Sequence, residues 1–118
     1  MVQLGAALAV FAPVTSGMAY DENAKVNATL FAMDAVKRKL RDPSSAEFRN
    51  VNTYEPEQRV LVVCGQVNAK NGFGGYAGYE AFVWFPLGAD LKPDVRNGTA
   101  LVGAKEIGDI GSLCRNAK

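Results

Sequence analysis

Two apolar runs, Val62–Val67 and Ala81–Phe85, flank a connection from Asn68 to Tyr79 that holds four glycines and three aromatic residues. The flanking runs are rich in valine and phenylalanine and read as strands. Glycine lets the backbone take positive φ and approach a partner closely, and exposed tyrosines offer large, rigid contact area. The connection is therefore suited to contact, and Asn68, Lys70, Asn71, Phe73, Tyr76 and Tyr79 are its candidate partner-binding residues. The plainer alternative is a wide hairpin link in which Tyr76 and Tyr79 cover the sheet edge or the core.

These glycines do not spell a phosphate cradle. Both the Gly-Lys-Ser/Thr pattern and the dinucleotide fingerprint open a helix, whereas Gly72 to Gly78 lies between two β runs. Catalysis finds little support either. The 118 residues include no histidine, which removes the commonest general base near neutral pH. Ser44, Ser45 and Ser112 lack a conventional activating partner. Glu55 with Glu57, and Glu106 with Asp109, sit in turn-like segments where solvated surface is the default reading. No catalytic, cofactor-binding or metal-binding residue is assigned, and the chain is read as a non-enzyme without a cofactor. A net charge of +1 gives no electrostatic case for nucleic acid.

Residues 1–19 differ from the rest: Leu4 to Val14 is apolar, and no charge precedes Asp21. Small residues at Gly17 and Ala19 suit a signal-peptidase cut before Tyr20, although no basic residue follows Met1. The alternative is a retained apolar N-terminal helix. Leu4 to Val14 is too short to span a bilayer, which takes about 20 residues. Residues 20–118 then form one domain.

Asp21 to Arg41 carries a helical pattern, with Val26, Leu30, Met33, Val36 and Leu40 as one apolar stripe. Asp21 suits the N-cap, and the basic residues from Lys37 to Arg41 suit the C-terminal end. Asp42-Pro43 stops the helix and opens a short turn that Asp42 would cap. Extended chain follows from Glu47 to Tyr54, with Phe48 and Val51 inward, then β runs over Arg59–Asn68 and Glu80–Phe85. Asn97-Gly98, between Val95 and Leu101, is a hairpin signal. A short helix runs from about Gly111 to Asn116. The expected architecture is α+β: an N-terminal helix packed on a four- to five-stranded antiparallel sheet.

Cys64 and Cys114 are the two cysteines. In an exported domain an even count reads as a disulfide; in a cytosolic one, the same residues would be two buried thiols. A bridge closing this separation would contribute about 4 kcal/mol on the loop-entropy estimate. It would tie the C-terminal helix to the central strand.

Two segments, Leu40-Arg41-Asp42-Pro43-Ser44-Ser45-Ala46-Glu47-Phe48-Arg49-Asn50-Val51 and Val63-Cys64-Gly65-Gln66-Val67-Asn68-Ala69-Lys70-Asn71-Gly72-Phe73-Gly74-Gly75-Tyr76-Ala77-Gly78-Tyr79, resemble a group of small exported bacterial and prophage-encoded proteins of unassigned function. The resemblance spans about residues 36–85. It implies export and a pairing of Cys64 with Cys114. Many of those proteins look like lipoproteins, but here no cysteine follows the apolar N-terminus. The resemblance carries no catalytic residues.

The expected function is a non-catalytic periplasmic or secreted module that engages a protein or cell-envelope partner through residues 68–79. The alternatives are an inhibitor of a cell-wall hydrolase of the lysozyme type, and a virion or envelope component that self-associates.

Overall fold

A computed structural model of the protein describes residues 20–56 and 60–116. The apolar segment 1–19, and with it the signal-peptide reading, lies outside the described residues. Helix α1 spans Glu22–Lys37. The Asp21 carboxylate accepts the Ala24 N–H at 2.8 Å, satisfying one of the first-turn amides that have no partner within the helix. A single 3-10 turn follows at Pro43–Ser45, with proline in its first turn. There Asp42 accepts the Ser44 hydroxyl at 2.9 Å instead of capping a backbone amide.

Four strands come next: β1 (Glu47–Tyr54), β2 (Val62–Asn68), β3 (Glu80–Phe85) and β4 (Thr99–Val102). They form one antiparallel sheet in the order β1-β2-β3-β4, so the valine-rich β2 is an interior strand. Two short helices, α2 (Ala104–Ile107) and α3 (Ser112–Asn116), flank a 3-10 turn at Gly108–Gly111. The fold is the expected α+β arrangement, with four strands. Cys64 and Cys114 are bonded, their Cα atoms 6.2 Å apart, which fastens α3 to β2. Among the described residues no helix is long and apolar enough to cross a membrane.

Period-two alternation along the strands builds a core on each face of the sheet. Val63, Val67, Phe82, Trp84 and Ala100 pack against α1. Val62, Cys64 and Val83 face the other way, under Ile107 and Leu113 of the C-terminal segment. Phe48 and Val51 both face α1 despite their odd spacing. The reason is an irregularity between Arg49 and Asn52, where Asn50 takes a φ of 55° and shifts the phase of β1. Tyr54 consequently joins the opposite cluster.

Two further sequence expectations are corrected. The buried line of α1 is Ala28, Ala32, Ala35 and Val36, while Val26 and Leu30 are 55% and 58% exposed. The large side chains filling this layer come from the sheet, as Trp84 and Phe82, and alanines let the helix settle onto them. Asn97-Gly98 is not a hairpin turn: β4 pairs with β3, and neither Asn97 nor Gly98 has positive φ. Instead the Asp94 carboxylate accepts from the Asn97 backbone N–H at 3.1 Å. Gly98 is needed for close packing, since a Cβ there would lie 2.6 Å from the Phe85 carbonyl oxygen and the Trp84 ring.

Candidate functional site

The β2–β3 ladder ends at Val67 and Glu80, but the connection beyond it keeps hairpin geometry. The Gly78 N–H donates to the Asn68 carboxamide at 2.9 Å, and the Ala77 N–H to the Ala69 carbonyl at 3.3 Å. Lys70 and Tyr76 then form an antiparallel bridge. At the tip the Asn71 N–H donates to the Gly75 carbonyl at 2.8 Å, and the Gly74 N–H to the Asn71 carbonyl at 3.1 Å. The Asn71 side chain also accepts the Phe73 and Gly75 N–H groups, at 2.8 and 3.3 Å. Such a carboxamide reproduces a backbone turn in side-chain form. Gly74 completes it with a φ of +85°, a conformation that L side chains rarely adopt.

The Pro43–Ser45 turn anchors the base of this hairpin. The Ser45 hydroxyl accepts the Lys70 N–H at 2.8 Å, and the Ser45 carbonyl accepts the Tyr76 hydroxyl at 3.1 Å. Desolvation, followed by the nearby Glu47 carboxylate, raises the Tyr76 phenol above its usual pKa. Tyr79 lies under the Arg49 guanidinium, 3.7 Å from ring centroid to Cζ. The Ser45 turn and the hairpin, distant in sequence, therefore meet in space.

Phe73 projects from this framework and is 99% exposed. Burying a phenylalanine is worth about 1.5–3 kcal/mol, and the fold forgoes all of it here. Beside the hairpin is a cleft of about 360 Å³ whose lining includes Arg41, Lys70, Asn71 and Glu80, with the Lys39–Glu106 ion pair. Among the described residues, neither Arg41 nor Lys70 has a carboxylate within ion-pair distance. The Arg41 side chain lies against Gly72, where a Cβ would stand 3.2 Å from its Cδ.

The structure thus brings all six sequence-named residues onto one hairpin and divides their work. Asn68 and Asn71 hold its shape, Tyr76 and Tyr79 tie its base to the Ser45 turn and β1, and Phe73 and Lys70 face outward. Ser45, two residues after Pro43, and Arg41, last of the basic residues that suit the helix end, join the site without any local sequence signal for it. In comparison with known proteins, the chain matches no protein-family model, no curated protein and no solved structure.

Proposed function

We propose that the protein is a non-catalytic binding module, exported to the periplasm or secreted, that engages a protein or cell-envelope partner through the Asn68–Tyr79 hairpin. The observation that carries this reading is the full exposure of Phe73 on a turn already fixed by Asn71. Aromatic side chains dominate binding energy at interfaces. A tip whose backbone is ordered before binding avoids the cost of ordering the loop, leaving the Phe73 side chain to be immobilised on contact. The Cys64–Cys114 bond supports export, because disulfides persist in oxidising compartments. Mass spectrometry of the mature N-terminus checks that part: a chain beginning at Tyr20 is expected, and one beginning at Met1 argues for a retained segment.

Capture from envelope extracts tests the binding. Phe73→Ala is expected to reduce recovery of the specific partner at least tenfold, with thermal stability within a degree or two of the parent. Equal recovery by both proteins would discard the hairpin tip as the binding element.

A narrower reading, an inhibitor of a lysozyme-type cell-wall hydrolase, draws support from the exposed tip and from Arg41 and Lys70, which have no ion-pair carboxylate among the described residues. Glycosidase clefts hold two carboxylates, which Lys70 and Arg41 would complement. Absence of inhibition at micromolar protein would remove this version. Self-association as a virion or envelope component would draw on Val26 and Leu30, both exposed on α1, and sedimentation of the purified chain decides it.

A further inference from the structure

The cleft of about 360 Å³ beside the hairpin has an apolar part that includes Leu40, Val67 and Val102, and its other walls carry charge of both signs. Lys39 and Glu106 satisfy each other, and Glu106 also accepts the Val102 N–H at 2.9 Å. Arg41 and Glu80 are left over. Among the described residues neither has an opposite charge within ion-pair distance, so they do not reach each other across the cleft. Glu80, the first residue of β3, stands beside Gly103 at the end of β4, where a Cβ would lie 3.6 Å from its Oε2. Arg41 stands on the hairpin side, against Gly72. Gly72 does not have positive φ, so the turn makes no conformational demand for glycine there. What a side chain at this position would meet is Arg41: a Cβ would lie 3.2 Å from its Cδ and 3.4 Å from its Nε. The bare backbone of Gly72 thus seats the Arg41 side chain in the cleft wall, although no ion pair among the described residues uses the cation held there.

From these observations we infer that the cleft binds a short peptide with free termini, its carboxylate on the Arg41 guanidinium and its ammonium on the Glu80 carboxylate. A planar guanidinium takes a carboxylate through two parallel hydrogen bonds. A simple anion would pair with Arg41 but be repelled by Glu80, and a simple cation would meet the reverse. A zwitterion pairs with both. A cavity of about 150 Å³ takes benzene, so by the same scale the 360 Å³ of this cleft takes about fourteen non-hydrogen atoms. A dipeptide with small side chains has that size, and its side chains would lie against Leu40, Val67 and Val102. Phe73 is not part of the cleft lining, and the ligand is a small molecule distinct from the partner engaged by the hairpin tip.

Alanyl-alanine is the probe, and the backbone 1H–15N resonances of Lys70, Asn71 and Gly78, which line the cleft, are the readout. They are expected to shift saturably. N-acetyl-alanyl-alanine lacks the ammonium and alanyl-alanine amide lacks the carboxylate, and each is expected to bind at least fivefold more weakly. Two variants assign the ends of the ligand. Arg41→Gln is expected to weaken the free dipeptide at least fivefold and to leave the amide form unchanged. Glu80→Gln is expected to weaken the free dipeptide as much and to leave the acetylated form unchanged. The inference is overturned if no resonance shifts saturably, if either capped dipeptide binds as well as the free one, if either variant titrates like the parent, or if a variant weakens free and capped forms alike. Because the probe is a free dipeptide, a failed titration and a failed capture through Phe73 are separate results.

Discussion

The sheet has two long connections, and glycine does opposite work in them. Between β2 and β3 the chain runs outward as a hairpin, where Gly74 supplies positive φ and has no atom within 4 Å of the space its side chain would fill. Between β3 and β4 the chain folds back onto the core, where Gly98 has ordinary φ and no space at all. One glycine shapes a displayed surface; the other lets the backbone seal Trp84. Composition alone does not separate these roles. What separates them is whether a side chain would meet solvent or the core.

The largest expected effect sets the scale for the sealed part of the molecule. Replacing Cys64 and Cys114 together by serine is expected to cost about 4 kcal/mol on the loop-entropy estimate, read as a fall in denaturant midpoint. A loss below about 1 kcal/mol would mean that the C-terminal helices hold the second face of the sheet unaided.

The glycine contrast comes next. Gly98→Ala drives a methyl group into the Phe85 carbonyl and the Trp84 ring, and overpacking of this kind costs about 1–3 kcal/mol. Gly75→Ala, at a position open to solvent and without positive φ, is expected to change stability by less than about 0.5 kcal/mol. Equal losses at the two sites would erase the distinction between a sealed and a displayed connection.

The smallest effect is expected at Glu106, which joins the end of α1 to β4 by accepting from Lys39 and from the Val102 N–H. The Lys39 hydrogen bond and then the Val102 N–H hold its carboxyl below the usual value of 4.5. A depressed carboxylate stabilises the fold above its unfolded-state pKa and loses that contribution as pH falls through its folded-state value. Glu106→Gln should therefore lower the melting temperature by a degree or two at pH 7, with the gap closing as the solution is acidified below pH 4.5. Both partners are substantially solvated, which keeps the effect small. A gap independent of pH would show that the loss comes from packing.

Elements whose determinants are local were legible in the sequence. Asp21 caps the helix where a capping residue stands, and the valine and phenylalanine runs became β2 and β3. The misreadings fall where tertiary partners overrule local preference. Hydropathy ranks Val26 and Leu30 above Ala28 and Ala32, but the layer against α1 was already filled by Trp84 and Phe82. Asn97-Gly98 carries the residues of a tight hairpin, yet the strand after it pairs with β3. The hairpin that forms the candidate site was visible as a glycine and aromatic cluster. Its anchor at Ser45 was not, because a contact made 25 residues away leaves no periodic trace.

The tip bearing Phe73 is held by the Asn71 hydrogen bonds in the free protein. Backbone 15N relaxation of the free protein measures this directly. Order parameters near 0.8 for Phe73, Gly74 and Gly75 are expected, close to those of rigid backbone, and values below about 0.6 would contradict the account.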